Sequence, residues 1–95
     1  MNWELLKMIK AWSNMAWEDY LYWQQQDKKT LKRIHKLIDD IDRNGYDGIG
    51  KPERLSGNLS SYWSRRIDDK NRIVYRIVNN DMIQIIQCGS HYRDK

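Results

Sequence analysis

The chain has 95 residues, enough for one domain with a modest core, and 40% of them are hydrophobic, with five Trp and six Tyr. No stretch approaches the ~20 apolar residues that span a bilayer, and Glu4, Lys7 and Lys10 interrupt any signal-peptide apolar region. Cys88 is the single cysteine, which excludes an intrachain disulfide. We therefore expect a soluble, cytoplasmic protein that does not associate with membranes.

The net charge of +4 is unevenly distributed along the chain. Residues 1–50 hold eight Lys or Arg and eight Asp or Glu, whereas residues 51–95 hold nine basic and five acidic residues. A polyanion such as RNA or DNA is the partner that suits a basic half. A merely solvated surface explains the charge equally well, so charge alone does not decide between the two.

A short strand and an aromatic helix are predicted at the start of the chain. Residues 8–12 are partly apolar and favour a strand, and Ser13 and Asn14 are suitable helix caps. In residues 15–26, apolar side chains recur at a spacing of three and four. We interpret the large aromatic residues, here and later in the chain, as core or dimer-interface residues: Trp17, Tyr20, Trp23 and Trp63.

A second helix is predicted from Asp27 to about Asn44, where Gly45 provides a left-handed stop. Its outer face is rich in lysine, which we interpret as a solvated face because three aspartates follow on the same helix. The tight connection to the first helix predicts an antiparallel helical hairpin. The buried stripe is predicted to be Leu31, Ile34, Leu37, Ile38 and Ile41.

The remaining chain favours a loop followed by strands. Residues 45–61 hold four of the five glycines and the only proline, which predicts a loop with a short strand near residues 53–55. A turn at 79–81 precedes residues 82–88, which are apolar on both faces as in a central strand. We predict a single α+β domain over residues 1–95, a small antiparallel β-sheet with the N-terminal helical hairpin packed on one face.

Residues 61–78 predict a β-hairpin whose register decides which side chains share a face. A two-residue loop, 69–70, mixes charged and apolar side chains on both faces. A three-residue loop, 69–71, pairs Arg66 with Val74 and places most charged side chains on one face and most apolar side chains on the other. One face then carries Trp63, Ile67, Ile73, Tyr75 and Ile77, with Arg65 as its only charge. The other, open face carries Tyr62, Ser64, Arg66, Asp68, Arg72 and Arg76.

This register also makes two local predictions. It pairs Asp68 with Arg72, and it places Asn71 in the left-handed conformation that such loops need. Because the helices cover the apolar face, Arg66 and Arg72 are expected together on the open face of the sheet.

Several polar residues outside the core could act on RNA. Metal-free RNA cleavage needs a base, an acid and cations that stabilise charge on the phosphate. No pair of His and Cys clusters is present, so we expect no zinc site. Residue types alone do not decide for catalysis, since Glu53 could simply pair with Arg54. The candidate residues are Lys51, Glu53, Arg66, Arg72, His91 and Tyr92.

Five motifs, in order, closely resemble the YoeB (Txe) toxins of the RelE/ParE superfamily. The resemblance covers residues 8–92, so residues 1–7 extend beyond the family's usual start and residues 93–95 form a C-terminal tail. Cys-Gly-Ser precedes His91 and Ser56 stands near the site, where the family often has basic or aromatic residues. The motifs are Trp17-Glu-Asp-Tyr-Leu-Tyr-Trp-Gln, Gly50-Lys-Pro-Glu53, Trp63-Ser-Arg-Arg-Ile, Asn71-Arg-Ile-Val-Tyr75 and His91-Tyr92.

The resemblance implies a RelE-like fold and a toxin of a type II toxin–antitoxin system that cuts mRNA in the ribosomal A site, without metal or cofactor. It implies Glu53 as the general base, His91 as the general acid and Arg72 as the stabiliser of the transition state. Lys51 and Arg66 would bind phosphate and Tyr92 would help to hold the RNA.

The implied partners are the ribosome with its mRNA, a YefM-type antitoxin and a second copy of the chain. The toxin–antitoxin complex is expected to bind operator DNA through the antitoxin. Two other functions stay open at this point: a non-catalytic ParE-like toxin that poisons DNA gyrase, and a basic nucleic-acid binding module. The presence of Glu53 and His91 argues against the ParE-like alternative, whose members generally lack the base and acid.

Overall fold

A computed structural model describes residues 7–90 of the chain. The elements are β1 (Ile9–Trp12), α1 (Asn14–Gln26), α2 (Lys28–Asn44), β2 (Glu53–Arg54), a 3₁₀ turn (Gly57–Leu59), β3 (Trp63–Arg66), β4 (Arg72–Val78) and β5 (Met82–Gly89). The predicted α+β class, both helices and all the strands are confirmed. No helix within the described range is long and apolar enough to cross a membrane.

The five strands form one sheet in the order β1-β5-β4-β3-β2. Neighbouring strands from β2 to β5 are antiparallel, as predicted, whereas β1 pairs with β5 in parallel, so the sheet is mixed and not antiparallel throughout. A parallel pair needs a long connection, and here the two helices and three other strands lie between its members. Since β5 has a partner on each edge, its prediction as an interior strand is confirmed.

Side-chain caps define where each helix begins. Ser13 Oγ accepts a hydrogen bond from Ala16 N at 3.1 Å and donates one to Ile86 O at 3.1 Å, which ties the start of α1 to β5. Asp27 caps α2 by accepting from the N–H groups of its first turn. Because Asp27 alone connects the helices, they form the predicted hairpin, and Tyr20 Oη lies 2.7 Å from His35 Nε2 across it.

The core lies between the helices and one face of the sheet. Burial raises the pKa of the Cys88 thiol to about 12, with a further contribution from the charge of Asp19. The Cys88 Sγ lies 3.5 Å from Ala16 O inside this core, so the thiol is a packing group. The buried residues are Ala16, Ile34, Leu37, Ile38, Ile41, Ile67, Ile73, Tyr75, Ile83, Ile85 and Cys88.

The register predicted for the β3–β4 hairpin is wrong. Arg66 pairs with Arg72 and not with Val74, so each β3 residue pairs two positions earlier in β4 than predicted. The reason is the chemistry of the turn: Asp68 Oδ1 accepts from the backbone N–H groups of Lys70 and Asn71, both at 2.8 Å, and holds a longer loop. The shift is an even number, so every side chain keeps its predicted face.

The same turn overturns the two local predictions. Asp68 does not pair with Arg72 in the ladder, because its N–H and that of Ile67 both donate to Asn71 O, at 3.3 and 3.0 Å. Asn71 does not have a positive φ. The Asp68 carboxylate takes over the stabilisation of the turn, so a left-handed residue is not needed. By contrast, Gly45 has φ +66° and its N–H donates to Ile41 O, as predicted for the stop of α2.

Candidate active site

One row of side chains crosses the open face of the sheet, the face without helices. Glu53 on β2 is opposite Ser64, Ser64 is opposite Val74 and Val74 is opposite Gln87. Paired residues project to the same side, so Glu53 belongs to the open face. Glu53 is exposed, whereas Ser64, Val74 and Gln87 are buried. The carboxylate therefore stands at the rim of a closely packed surface.

A second row lies two residues further along β3. Arg66 is opposite Arg72, and Arg72 is opposite Gly89 on β5. Adjacent strands lie ~4.8 Å apart and two residues span ~6.7 Å, so the Cα atoms of Glu53 and Arg66 are roughly 8 Å apart. Long side chains bridge such a distance. The carboxylate and the two guanidinium groups can therefore meet one phosphodiester.

The hairpin turn orients the Arg72 side chain. Arg72 Nη1 donates to Asp68 O at 2.7 Å and to Asn71 O at 3.1 Å. Within residues 7–90 its remaining N–H groups meet no acceptor. Burial raises the pKa of the Asp68 carboxyl, but hydrogen bonds from Asn71 and Lys70 and the charge of Arg72 together hold it below its ordinary value.

Arg66 is held less firmly than Arg72. Its side chain is 46% exposed, and its Nη1 lies 4.0 Å from Oδ1 of the fully exposed Asp69. An ion pair of this kind contributes little at a surface. Arg66 therefore offers an exposed, weakly paired charge beside the oriented charge of Arg72, which suits a phosphate-binding residue.

Lys51 approaches the same region from the loop between α2 and β2. Gly50 O accepts a hydrogen bond from Arg66 N at 2.7 Å, so the next residue, Lys51, lies beside the backbone of Arg66. Lys51 is exposed and has φ +51°. Positive φ is uncommon for a residue other than glycine. The loop thus holds an unusual backbone conformation where a site cation is predicted.

The structure brings together four of the six predicted site residues: Lys51, Glu53, Arg66 and Arg72. His91 and Tyr92 lie outside the described residues. Within the described range β5 ends at Gly89, which is paired with Arg72, and Ser90 follows it.

Residues 12–92 match the model of the YoeB-like toxins of bacterial type II toxin–antitoxin systems. The chain belongs to this family. The resemblance predicted from the motifs is thereby confirmed, as is the place of the chain among toxins of type II systems.

Individual YoeB proteins match nearly the whole chain. Toxin YoeB of Synechocystis is 54% identical over 83 residues, covering 87% of this chain and 95% of that protein. The YoeB dimer of Staphylococcus aureus is 48% identical, with a TM-score of 0.83, over 90% of this chain and 99% of the other. The heterotetrameric YoeB–YefM complex from the same organism gives 48% identity and a TM-score of 0.85, with the same coverage.

Two polar residues of this YoeB-like site were not predicted as site residues. Ser64 and Gln87 lie buried in the row that starts at Glu53, and Gln87 Nε2 donates to Gly89 O at 3.0 Å. This bond joins the Glu53 row to the strand end that is paired with Arg72. Because residues 82–88 are apolar on both faces, no alternation in the sequence assigns Gln87 to the open face, and only the register links it to the site.

Proposed function

We propose that this YoeB-like toxin is a ribosome-dependent endoribonuclease that cuts mRNA in the ribosomal A site and so blocks translation, without metal. One observation carries the proposal: the Glu53 carboxylate shares the open face of the sheet with the directly opposed pair Arg66 and Arg72. A base beside two cations is the minimum needed to activate a 2′-hydroxyl and to stabilise the phosphate that it attacks.

The reaction is an internal displacement on the RNA. Glu53 takes the proton of the 2′-hydroxyl, and the 2′-oxygen forms a bond to the adjacent phosphorus. The bond between phosphorus and the 5′-oxygen breaks, and His91 gives its proton to that leaving oxygen. Arg72 stabilises the additional negative charge on the phosphate in the transition state, for which its turn-bound guanidinium needs little reorganisation.

Substrate binding is assigned to the other residues of the site. Lys51 and Arg66 contact phosphates, and both are exposed. Tyr92 stacks on a base, since base–aromatic stacking tolerates any sequence. The intact A site supplies the remaining orientation of the mRNA.

A programmed-ribosome assay tests the proposed function. The protein is stripped with a chelator and desalted, so that the ribosomes keep their own magnesium, and is then mixed with mRNA-programmed ribosomes. We expect cuts within the A-site codon and none in free mRNA. Loss of gyrase supercoiling instead would favour a ParE-like toxin, and RNA retention without cuts would favour a simple binding module.

Two variants identify the source of any cleavage. Glu53→Gln removes the base, whereas Glu18→Gln removes another exposed carboxylate, on α1. Cleavage by the stripped wild type and by Glu18→Gln, but not by Glu53→Gln, is the expected result. Equal cleavage by all three proteins would point to a contaminating nuclease.

We further propose that the chain acts in the cytoplasm and forms a homodimer, as the S. aureus relative does. Exposed apolar side chains on β1 and α1 support self-association: Ile9 is 63% and Tyr22 56% exposed. Sedimentation at micromolar concentration tests this proposal, and a clean monomer of 11.6 kDa contradicts it.

A YefM-type antitoxin is the second proposed partner, because the S. aureus relative was solved with YefM. The complex binds operator DNA through the antitoxin. The basic charge of residues 51–95 favours an acidic antitoxin segment, and salt screens such attraction between exposed charges. Affinity that does not change between low and high salt would contradict electrostatic binding.

A further inference from the structure

Arg65 is the one charged residue on the helix-facing side of β3, and its side chain is completely buried. Its guanidinium has five N–H donors, and each one has an acceptor. Nε donates to Tyr75 Oη at 3.0 Å. Nη1 donates to Asp40 Oδ2 at 2.5 Å and to Ile49 O at 3.2 Å. Nη2 donates to Gly45 O at 2.8 Å and to Asp47 O at 2.5 Å.

Three of the acceptors are carbonyl groups of one loop. Gly45, Asp47 and Ile49 belong to the connection between α2 and β2, which has no helix or strand before Glu53. Such a loop lacks the repeating backbone bonds of a helix or strand, so the buried Arg65 donors that bind three of its carbonyls fix its shape.

Asp40 on α2 completes the arrangement from the other side. Its Oδ2 accepts from Ile49 N at 3.0 Å as well as from Arg65, and its Oδ1 accepts from Asn44 Nδ2 at 2.8 Å. The loop passes so closely that a Cβ added at Gly48 would lie 2.0 Å from Asp40 Oδ2. We call Arg65, Asp40 and the loop residues 45–49 the arginine clamp.

The clamp lies directly behind the site. Arg65 is followed in sequence by Arg66, whose N–H donates to Gly50 O at 2.7 Å. The loop then continues into Lys51 and, after Pro52, into Glu53. The chain that leaves the clamped loop therefore carries a predicted phosphate-binding residue and the predicted base within four residues of Ile49.

We propose that Arg65, together with Asp40, is a positioning residue for RNA cleavage: the arginine clamp sets where Lys51 and Glu53 stand relative to Arg66 and Arg72. This inference rests on the proposed endoribonuclease function. A displacement of about 1 Å at a reacting group can lower the rate 10²-fold. A buried ion pair can also be merely structural, so the test needs a readout that a general loss of stability does not move.

A double-mutant cycle supplies that readout. Arg65→Lys keeps the charge but has three donors in place of five, so it cannot hold all of its acceptors. Lys51→Ala is measured in the wild-type, Arg65→Lys and Ile83→Val backgrounds. Ile83 is completely buried on β5 and serves as the matched control for a weakened core.

If the clamp positions Lys51, then Lys51→Ala lowers A-site cleavage much less in the Arg65→Lys background than in the other two. The same fold-loss in all three backgrounds would overturn the proposal. If Arg65→Lys does not fold, Asp40→Asn is used instead. Asparagine keeps the shape of the aspartate side chain but is a weaker acceptor for Arg65.

Two measurements are independent of cleavage. Amide hydrogen exchange at Ile49 and Arg66 should be faster in Arg65→Lys and Asp40→Asn than in Ile83→Val, and equal exchange would overturn the clamp. In binding to a short single-stranded RNA, Lys51→Ala should reduce the salt slope by ~0.7 in the wild type and by much less in Arg65→Lys. If the wild type cuts no mRNA, the proposed function fails. The hydrogen-exchange and RNA-binding results then still test whether the clamp holds the loop and Lys51 in place.

Discussion

Arg66 and Arg72 are direct partners across β3 and β4, and their side chains share the open face of the sheet. Like charges directly opposite each other in an antiparallel pair are destabilising. Asp69 lies 4.0 Å from Arg66 and is fully exposed, so it offsets little of this repulsion, and the charge of Asp68 near Arg72 offsets a further part of it. The two opposed guanidinium groups destabilise the folded sheet but attract a phosphate. Such a pair is expected in a binding site and not in a sheet with a purely structural role.

The first prediction is that Arg66→Gln stabilises the fold while it weakens RNA binding. Removing one charge relieves a cross-strand repulsion of ~0.2–1 kcal/mol, and solvent screening of the half-exposed side chain favours the low end of this range. The free energy of unfolding, from urea titrations at low salt, should rise. The gain should shrink at high salt, and a fall in stability at low salt would contradict the repulsion.

The second prediction concerns Arg72→Lys. Lysine keeps the charge but loses the planar donor set that reaches the turn carbonyls and a phosphate at the same time. Cleavage on programmed ribosomes should therefore fall, while binding to the ribosome stays near that of the wild type. Arg66→Lys is the matched control and should reduce cleavage less. The opposite order of the two variants would reverse the roles assigned to Arg66 and Arg72.

The faces of the sheet could be predicted from the sequence, although the register could not. Alternation with a period of two assigned Arg66 and Arg72 to one face, and a register error by an even number leaves that assignment intact. The error itself came from Asp68, whose side chain replaces ladder bonds with turn bonds. Side-chain to backbone bonds of this kind compete with strand pairing and leave no periodic signal.

Arg65 marks the other limit of prediction from the sequence. Its position as the only charge on an apolar face was visible, and such a charge must be paired when it is buried. Its acceptors were not predictable, because they are an aspartate 25 residues away and carbonyl groups of an irregular loop. The starts of the helices were easier to predict, because Ser13 and Asp27 cap them through bonds to residues only two or three positions away in the sequence.

The third prediction links Asp40 to stability in acid. Burial raises the pKa of the Asp40 carboxyl, but hydrogen bonds from Arg65, Ile49 and Asn44 lower it by more, so the pKa in the folded state lies below the ordinary value of an aspartate. The contribution of the carboxylate is therefore present above that value and is lost as the pH falls through the folded pKa. Asp40→Asn should be less stable than the wild type at neutral pH and should lose less stability in acid.

Urea titrations at neutral pH and at about pH 3 measure the difference. Asp39→Asn is the matched control, because Asp39 is the exposed neighbour of Asp40 on α2. Asp27 and Asp68, whose pKa values are also lowered, titrate alike in every variant and cancel in the comparison. Parallel pH profiles for Asp40→Asn and the wild type would show that the ion pair contributes nothing to stability.

The last prediction concerns the proposed acid–base pair. Glu53 takes a proton and His91 gives one in the same transition state, so Glu53→Gln and His91→Ala should each lower single-turnover cleavage by about 10²–10⁴-fold. Groups that act together do not contribute independently. The double variant should therefore lose less than the product of the two single losses. Both single variants should still bind ribosomes, since binding is assigned to Lys51, Arg66 and the basic surface.

The decisive comparison is between chemistry and binding in one preparation. Each variant is bound to mRNA-programmed ribosomes, the occupied fraction is measured by co-sedimentation, and the cleavage rate is taken from the occupied fraction alone. Glu18→Gln should cut at the wild-type rate, because its carboxylate lies on α1 and outside the row of Glu53. If Glu53→Gln, fully bound, also cut at that rate, the base would be another group, and the open face would serve only to hold the RNA.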